Sequence, residues 1–322
     1  MKLKPTLWTR PLCAGALLVL GLGAVASPLL RTDVAAEPTW VAHVDCDGLR
    51  PTALGQCLLA EMEKPESQAR FATFQTLFSF DPRKQLHGLT LYSAGKAAED
   101  AVALVYADFD SERLVTLAKS ARNSQSTPHK SHLIYSWIED GKEPKDGVMP
   151  RTYGAICGSR VVVLARQEKS VANALDVLDK ASPNLSAGNV FPQLGAPGCA
   201  SFIEASARKL EFADSTPTAA IFRVARFMRL DVGETNRTVT ARLNIETSDA
   251  SVAKQTAAVA QGFLALVKLQ RDKPEAGKLA EALSLKQDGA SLAATLAMPA
   301  ADVAALLKSD TDKKAPQKPE KN

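Results

Sequence analysis

Histidine is scarce in this 322-residue chain: His43, His87, His129 and His132 are its only copies, which limits the catalytic sets it can assemble. No Gly-x-Ser-x-Gly elbow accompanies them, so serine hydrolysis of that type has no nucleophile motif. Cysteine is sparse too, with five copies and neither a CxxC nor a Cys/His pattern at zinc spacing, so neither a redox motif nor a metal site is expected. Phosphate-cradling glycine loops and the dinucleotide fingerprint are missing, and no cofactor is expected.

A basic face is missing as well, although the formal charge is +4. Lys2, Lys4 and Arg10 carry +3 ahead of residue 27, and the lysines after residue 307 outweigh Asp310, Asp312 and Glu320 by 2, leaving residues 27–307 near −1. A near-neutral body without clustered Lys and Arg excludes nucleic acid as a partner.

What is present begins with "MKLKPTLWTRPLCAGALLVLGLGAVASPLL", a short basic segment, an apolar run and the small-x-small pattern Ala24-Val25-Ala26. This reads as an export signal over residues 1–26, with cleavage after Ala26 as first choice and after Ala36 as second. The uncharged run from Leu12 to Leu30 also has the length of one membrane-spanning helix. An uncut anchor on an accessory subunit is therefore the alternative, and membrane contact is expected only then. Export permits disulfides, and the mature chain holds Cys46, Cys57, Cys157 and Cys199, which allow three pairings. Helix between Cys46 and Cys57 disfavours that pair, and the pairing otherwise stays open.

Hydrophobic periodicity divides the remainder into an α+β unit over 39–181, a Pro/Gly/Asn-rich linker over 182–197, a second unit over 198–308 and a charged, disordered tail over 309–322. Both units spell roughly βαββαββα, with Asp110 and Asp249 capping helices at matching stations. The expected fold is two similar, ferredoxin-like halves with antiparallel sheets covered by helices on one face, packed together or sharing one continuous sheet. Phe71, Phe74 and Phe78 should form a buried helix face. So should Val252, Val259, Phe263, Leu266 and Val267.

Candidate site residues cluster in "HVDCDG", residues 43–48. His43 and Asp45 share a strand face, and Asp45 or Asp47 fits a helix cap; the calcium loop that Asp-x-Asp-Gly suggests lacks its later ligands. Asp108, near Asp110 at a strand end, is a candidate acid or base. His129 and His132 are three apart but have no acidic or cysteine partner nearby in sequence, so they read as solvated loop residues. In "FSFDPRKQLHGLTLYS", Pro82 ends a helix, Asp81 caps the short turn "PRKQ", and His87 sits at the corner before a strand.

The stretches "WVAHVDCDGL" and "FSFDPRKQLHGLTLYS" resemble a group of uncharacterised exported bacterial proteins that share Phe-Asp-Pro-Arg followed by Leu-x-Leu-Tyr. The resemblance spans the first half after the signal and implies neither an activity nor a catalytic residue. The expected function is an exported, periplasmic or extracellular, non-catalytic binding module for a protein or glycan partner. The alternative is a hydrolase with an acidic or cation-dependent site between the halves, drawing on His43, Asp45, Asp47 and Asp108.

Overall fold

The computed structural model describes residues 28–95, 97–139, 144, 149–195, 201–208, 223–269 and 274–314. The stretch read as an export signal, residues 1–26, lies outside the described residues, as do Cys199 and the end of the tail after Lys314. Among the described residues no helix is long and apolar enough to cross a membrane.

The strands are β1 (Trp40–Asp45), β2 (Leu86–Ser93), β3 (Val102–Ala107), β4 (Gln125–His129), β5 (His132–Ile138), β6 (Arg151–Cys157), β7 (Val161–Ala165), β8 (Ser201–Arg208), β9 (Phe227–Thr235), β10 (Thr238–Glu246), β11 (Leu283–Asp288) and β12 (Ser291–Pro299). They form one 12-stranded sheet in the order β11-β12-β10-β9-β8-β1-β2-β3-β7-β6-β5-β4. Every ladder is antiparallel. The antiparallel pairing agrees with expectation, but the strand order corrects the two ferredoxin-like halves: strands run on in sequence as β1-β2-β3 and β8-β9-β10 within one sheet, where that motif would interleave them through βαβ crossovers. Here β1 and β8 pair directly, Trp40 opposite Ala207 and Val44 opposite Ile203, so the two units share a single sheet.

Turn chemistry drives the sequential pairing. Asn236 and Arg237, both at positive φ, give β9 and β10 the twist that a two-residue hairpin needs. Gly158 at φ +63° opens the β6–β7 turn, and Gly289 at φ +52° the β11–β12 turn. The strand β4 escapes the sequence pattern because "QSTPH" is polar and contains Pro128. It is the sheet's edge, where a missing N–H is tolerated.

The helices are α1 (Cys46–Leu49), α2 (Ala53–Met62), α3 (Pro65–Phe78), α4 (Pro82–Gln85), α5 (Ser111–Ser120), α6 (Glu168–Leu178), α7 (Ala250–Leu269), α8 (Pro274–Ala282) and α9 (Ala300–Lys314). They cover both faces, not one. Register places Val41, Tyr92, Leu104 and Val163 on one face, where α6 buries Val171, Ala174 and Leu175 against them. Val105, Val162 and Leu164 point to the opposite face, where α3 and α5 lie.

The stretch read as a linker is part of the core. Leu185, Phe191 and Leu194 are buried beside Val34, and Arg31 donates to the main-chain oxygens of Leu185, Val190, Phe191 and Leu194. That cradle holds Phe191 at φ +51°, a backbone region costly for a bulky side chain. At the other end α9 runs through Lys314, six residues into the stretch read as a tail.

Two expected buried faces are corrected. In α7 the sheet side is the small stripe of Ala253, Thr256 and Ala257, while Val259, Phe263 and Leu266 are exposed. Small residues let the helix approach the strands closely, and the larger ridge faces outward. In α3, Phe74 and Leu77 are exposed and Phe71 and Phe78 only half-buried, because the helix borders a hollow.

Candidate functional site

That hollow is a cavity of about 730 Å³ between α3, α5 and the sheet face opposite α6, within the range of ordinary ligand sites. Its floor is Val105, Gly154, Ile156, Val162 and Leu164, with Trp137 beside them. Phe74, Leu77 and Phe78 line it from α3, and Leu114, Leu117 and Ala118 from α5.

An aromatic row forms one wall. Ring centroids are 4.5 Å apart for Phe74 and Phe78, 5.9 Å for Phe74 and Phe80, and 5.6 Å for Phe80 and Phe109. Local sequence sets this row in place. Ser79, at φ 51°, closes α3 in the left-handed region. Asp81 then caps α4 by accepting from the Arg83 amide at 3.0 Å, with Pro82 at the first helical position, as the sequence predicts. Arg113 of α5 donates to the Leu77 and Thr76 oxygens at 2.9 and 3.2 Å. A cation thereby satisfies orphan carbonyls at the C-terminus of α3 and ties the two lining helices together.

Gly154 keeps the floor open. A Cβ there would lie 2.9 Å from Leu164 Cδ2 and 3.2 Å from Trp137 Cη2, tighter than real contacts tolerate. Polar groups stand at one end. Exposed Arg122 borders the cavity, while Glu139 accepts from Thr152 Oγ1 and Arg166 Nη1 at 2.6 Å each.

The acids singled out from sequence lie elsewhere. Buried His43 Nδ1 is 2.9 Å from Thr90 Oγ1 on the adjacent strand. Asp45 caps α1, accepting from the Gly48 amide at 2.7 Å. Asp47 takes Arg50 Nη1 at 2.6 Å and His87 Nδ1 at 2.9 Å. Asp108 Oδ2 is 3.2 Å from His87 Nε2, though Nε2 is buried and out of hydrogen-bond alignment. Asp108 also faces Arg160 at 3.5 Å. His87, which the sequence placed only at the corner before a strand, therefore stands between Asp47 and Asp108. None of these groups lines the cavity.

Among the described cysteines, Cys46, Cys57 and Cys157 carry free thiols. Burial pushes Cys46 up to about 11, with Asp45 and Asp47 adding to the rise against Arg50. A thiol held protonated in this way is no activated nucleophile.

His129 and His132 do have acidic partners. His129 Nε2 is 2.8 Å from Asp176 Oδ1, and His132 Nε2 is 2.9 Å from Asp179 Oδ2, both acids coming from α6 and its cap. The only sequence signal was the shared three-residue spacing of the histidines and of the acids.

Neither a protein-family model nor a curated protein matches the sequence. Among solved structures, crystal form III of TP0453 superposes with a TM-score of 0.51 at 10% identity, covering 88% of this chain and 98% of that one. Crystal form I of the same protein gives 0.47 at 9% identity over 88% and 98%. At 10% identity and a TM-score of 0.51, the chain is similar to TP0453 in its mixed α+β fold, and the similarity extends over nearly the whole of both chains.

Proposed function

We propose that this protein is an exported, non-catalytic binding module whose ligand is a single-chain amphiphile, with its apolar chain in the helix–sheet cavity and its acidic head near Arg122. The single observation that carries this reading is the cavity: about 730 Å³, bounded by Phe74, Phe78, Phe80 and Phe109 and by an aliphatic floor. Such a lining favours hydrocarbon over the glycan or protein surface expected from sequence. The charge of Glu139 is already met by Arg166, which leaves Arg122 to face an anionic head.

Export rests on the leader sequence, and it fits Leu29, three residues after the Ala26 cleavage point, being buried in the core. The mirrored runs β1-β2-β3 and β8-β9-β10, leading outward from the shared β1–β8 pair, support an internal duplication. The hydrolase alternative has the Asp47–His87–Asp108 group as its geometry, but that group does not line the helix–sheet cavity.

Displacement of a fluorescent fatty acid from the purified protein tests the reading. A 1:1 complex of micromolar affinity is expected, weakened at least about tenfold by Ala118→Trp, which fills the hollow. Absence of binding, or binding indifferent to Ala118→Trp, overturns it.

A further inference from the structure

We propose that His132, Cys157 and Asp179 form a binding site for a zinc-class divalent transition-metal ion. One donor atom from each lies within 4.8 Å of the other two, and His132 Nε2 is already 2.9 Å from Asp179 Oδ2. Sequence spacing hides the set, because the three residues come from three elements. Extending the β5–β6 register three residues past the Tyr135–Gly154 pair brings His132 opposite Cys157. Asp179 is the C-cap residue of α6, which packs on the same strands. All three stand on the α6 face of the sheet, opposite the apolar cavity.

Chemistry selects the metal. A tetrahedral ion with bonds of about 2.0–2.3 Å spaces its donors by roughly 3.3–3.7 Å, so a side-chain adjustment on the order of 1 Å closes the site. Mixed sulfur, nitrogen and oxygen donors suit zinc and its neighbours, while a thiolate disfavours calcium and magnesium. Three protein donors leave a fourth position for water or another ligand.

Asp179 sits at the negative end of the α6 dipole, where a carboxylate is unfavourable and a cation is welcome. The adjacent acid, Asp176, is matched already by Lys130 at 2.7 Å and His129 at 2.8 Å, so it does not compete. On binding, Cys157 releases its thiol proton to water as the sulfur–metal bond forms, and His132 offers a ring-nitrogen lone pair.

Titrating cobalt(II) into the reduced, chelator-stripped full chain tests this. A near-ultraviolet thiolate-to-cobalt charge-transfer band and visible bands of four-coordinate cobalt should rise to one equivalent and vanish on adding zinc. Cys157→Ser should abolish the charge-transfer band, and Cys46→Ser and Cys57→Ser should retain it. Asp179→Asn, at a partly exposed side chain, should weaken cobalt binding at least about tenfold with an unchanged circular dichroism spectrum. That variant keeps the question answerable if Cys157→Ser fails to fold. No band in the parent chain, a band that survives Cys157→Ser, or an Asp179→Asn affinity equal to the parent's overturns the site.

Discussion

Arg31 Nη2 donates to the main-chain oxygen of Leu185 at 2.9 Å, across 154 residues of sequence. The same guanidinium serves three more carbonyls in the 190–194 stretch. An early turn of the chain thus pins a Pro/Gly-rich segment that would otherwise leave buried oxygens unpaired. Arg31→Ala should cost about 2–4 kcal/mol, since each orphaned buried group costs about 1–3 kcal/mol, read as a lower urea midpoint at unchanged m-value.

The same contacts bear on where the leader is cut. Cleavage after Ala36 would strip Leu29, Arg31 and Val34 from the core, and Val34 is 0% exposed. Losing one buried aliphatic side chain typically costs about 2–5 kcal/mol. N-terminal sequencing of the protein purified from its native host should begin at Ser27, and a chain starting at Glu37 should melt well below one starting at Ser27. A mature form that begins at Glu37 with undiminished stability would contradict this account.

Asp81 is a cap with a second bond. Its Oδ1 accepts from the Arg83 amide at 3.0 Å and from Arg83 Nε at 2.9 Å, while Oδ2 takes Arg83 Nη2 at 2.9 Å. Asp81→Ala should cost about 0.5–2 kcal/mol and Asp81→Asn less, because asparagine also caps. The hydrogen bond from the Arg83 side chain, above all, holds the Asp81 carboxyl below its ordinary value. A carboxyl depressed on folding stabilises above its unfolded pKa and loses that contribution as pH falls through the folded one. The stability gap between parent and Asp81→Ala should therefore be full at pH 7 and shrink below about pH 4. A gap that is constant from pH 7 to pH 2 would remove the charge from the explanation.

On α7, the ridge carrying Phe263 should tolerate change where the small stripe does not. Phe263 is 56% exposed and Ala257 7%. Phe263→Ser should shift stability by no more than about 0.5 kcal/mol, whereas Ala257→Leu should cost about 1–3 kcal/mol by overpacking the helix–sheet contact. Thermal melts of the two variants side by side check the assignment, and a reversed order would mean that α7 turns its large residues to the sheet.

Those exchanges mark how far the sequence could be read. Strand alternation, the hairpin turns and the caps at Asp81, Asp110 and Asp249 were legible, since each is local chemistry: period two, positive φ, a side chain reaching an amide two or three residues on. Which face of a helix meets the sheet was not legible for α3 and α7, because both helices offer two candidate stripes and close approach of small residues decided in favour of Ala253 and Ala257. The cavity was illegible for a related reason. Phe74 and Phe78 satisfy the pattern of a buried face whether solid core or open space lies beyond them. The partners of His129, His132 and His87 depend on strand register and helix placement, which no local spacing encodes.

Trp137 should report on the cavity directly. Its ring lies beside Gly154 on the floor, and of the other tryptophans Trp8 belongs to the leader and Trp40 to β1. A saturating single-chain fatty acid should change tryptophan emission in the parent and in Trp40→Phe, but leave Trp137→Phe unchanged. Gly154→Ala should push Trp137 or Leu164 into the hollow, costing about 1–3 kcal/mol and reducing affinity for the fatty acid. Gly158, where an added Cβ would meet nothing, supplies the control: Gly158→Asn tolerates the positive φ and should leave binding intact. Equal binding by Gly154→Ala, or an emission change that persists in Trp137→Phe, would place the ligand outside this cavity.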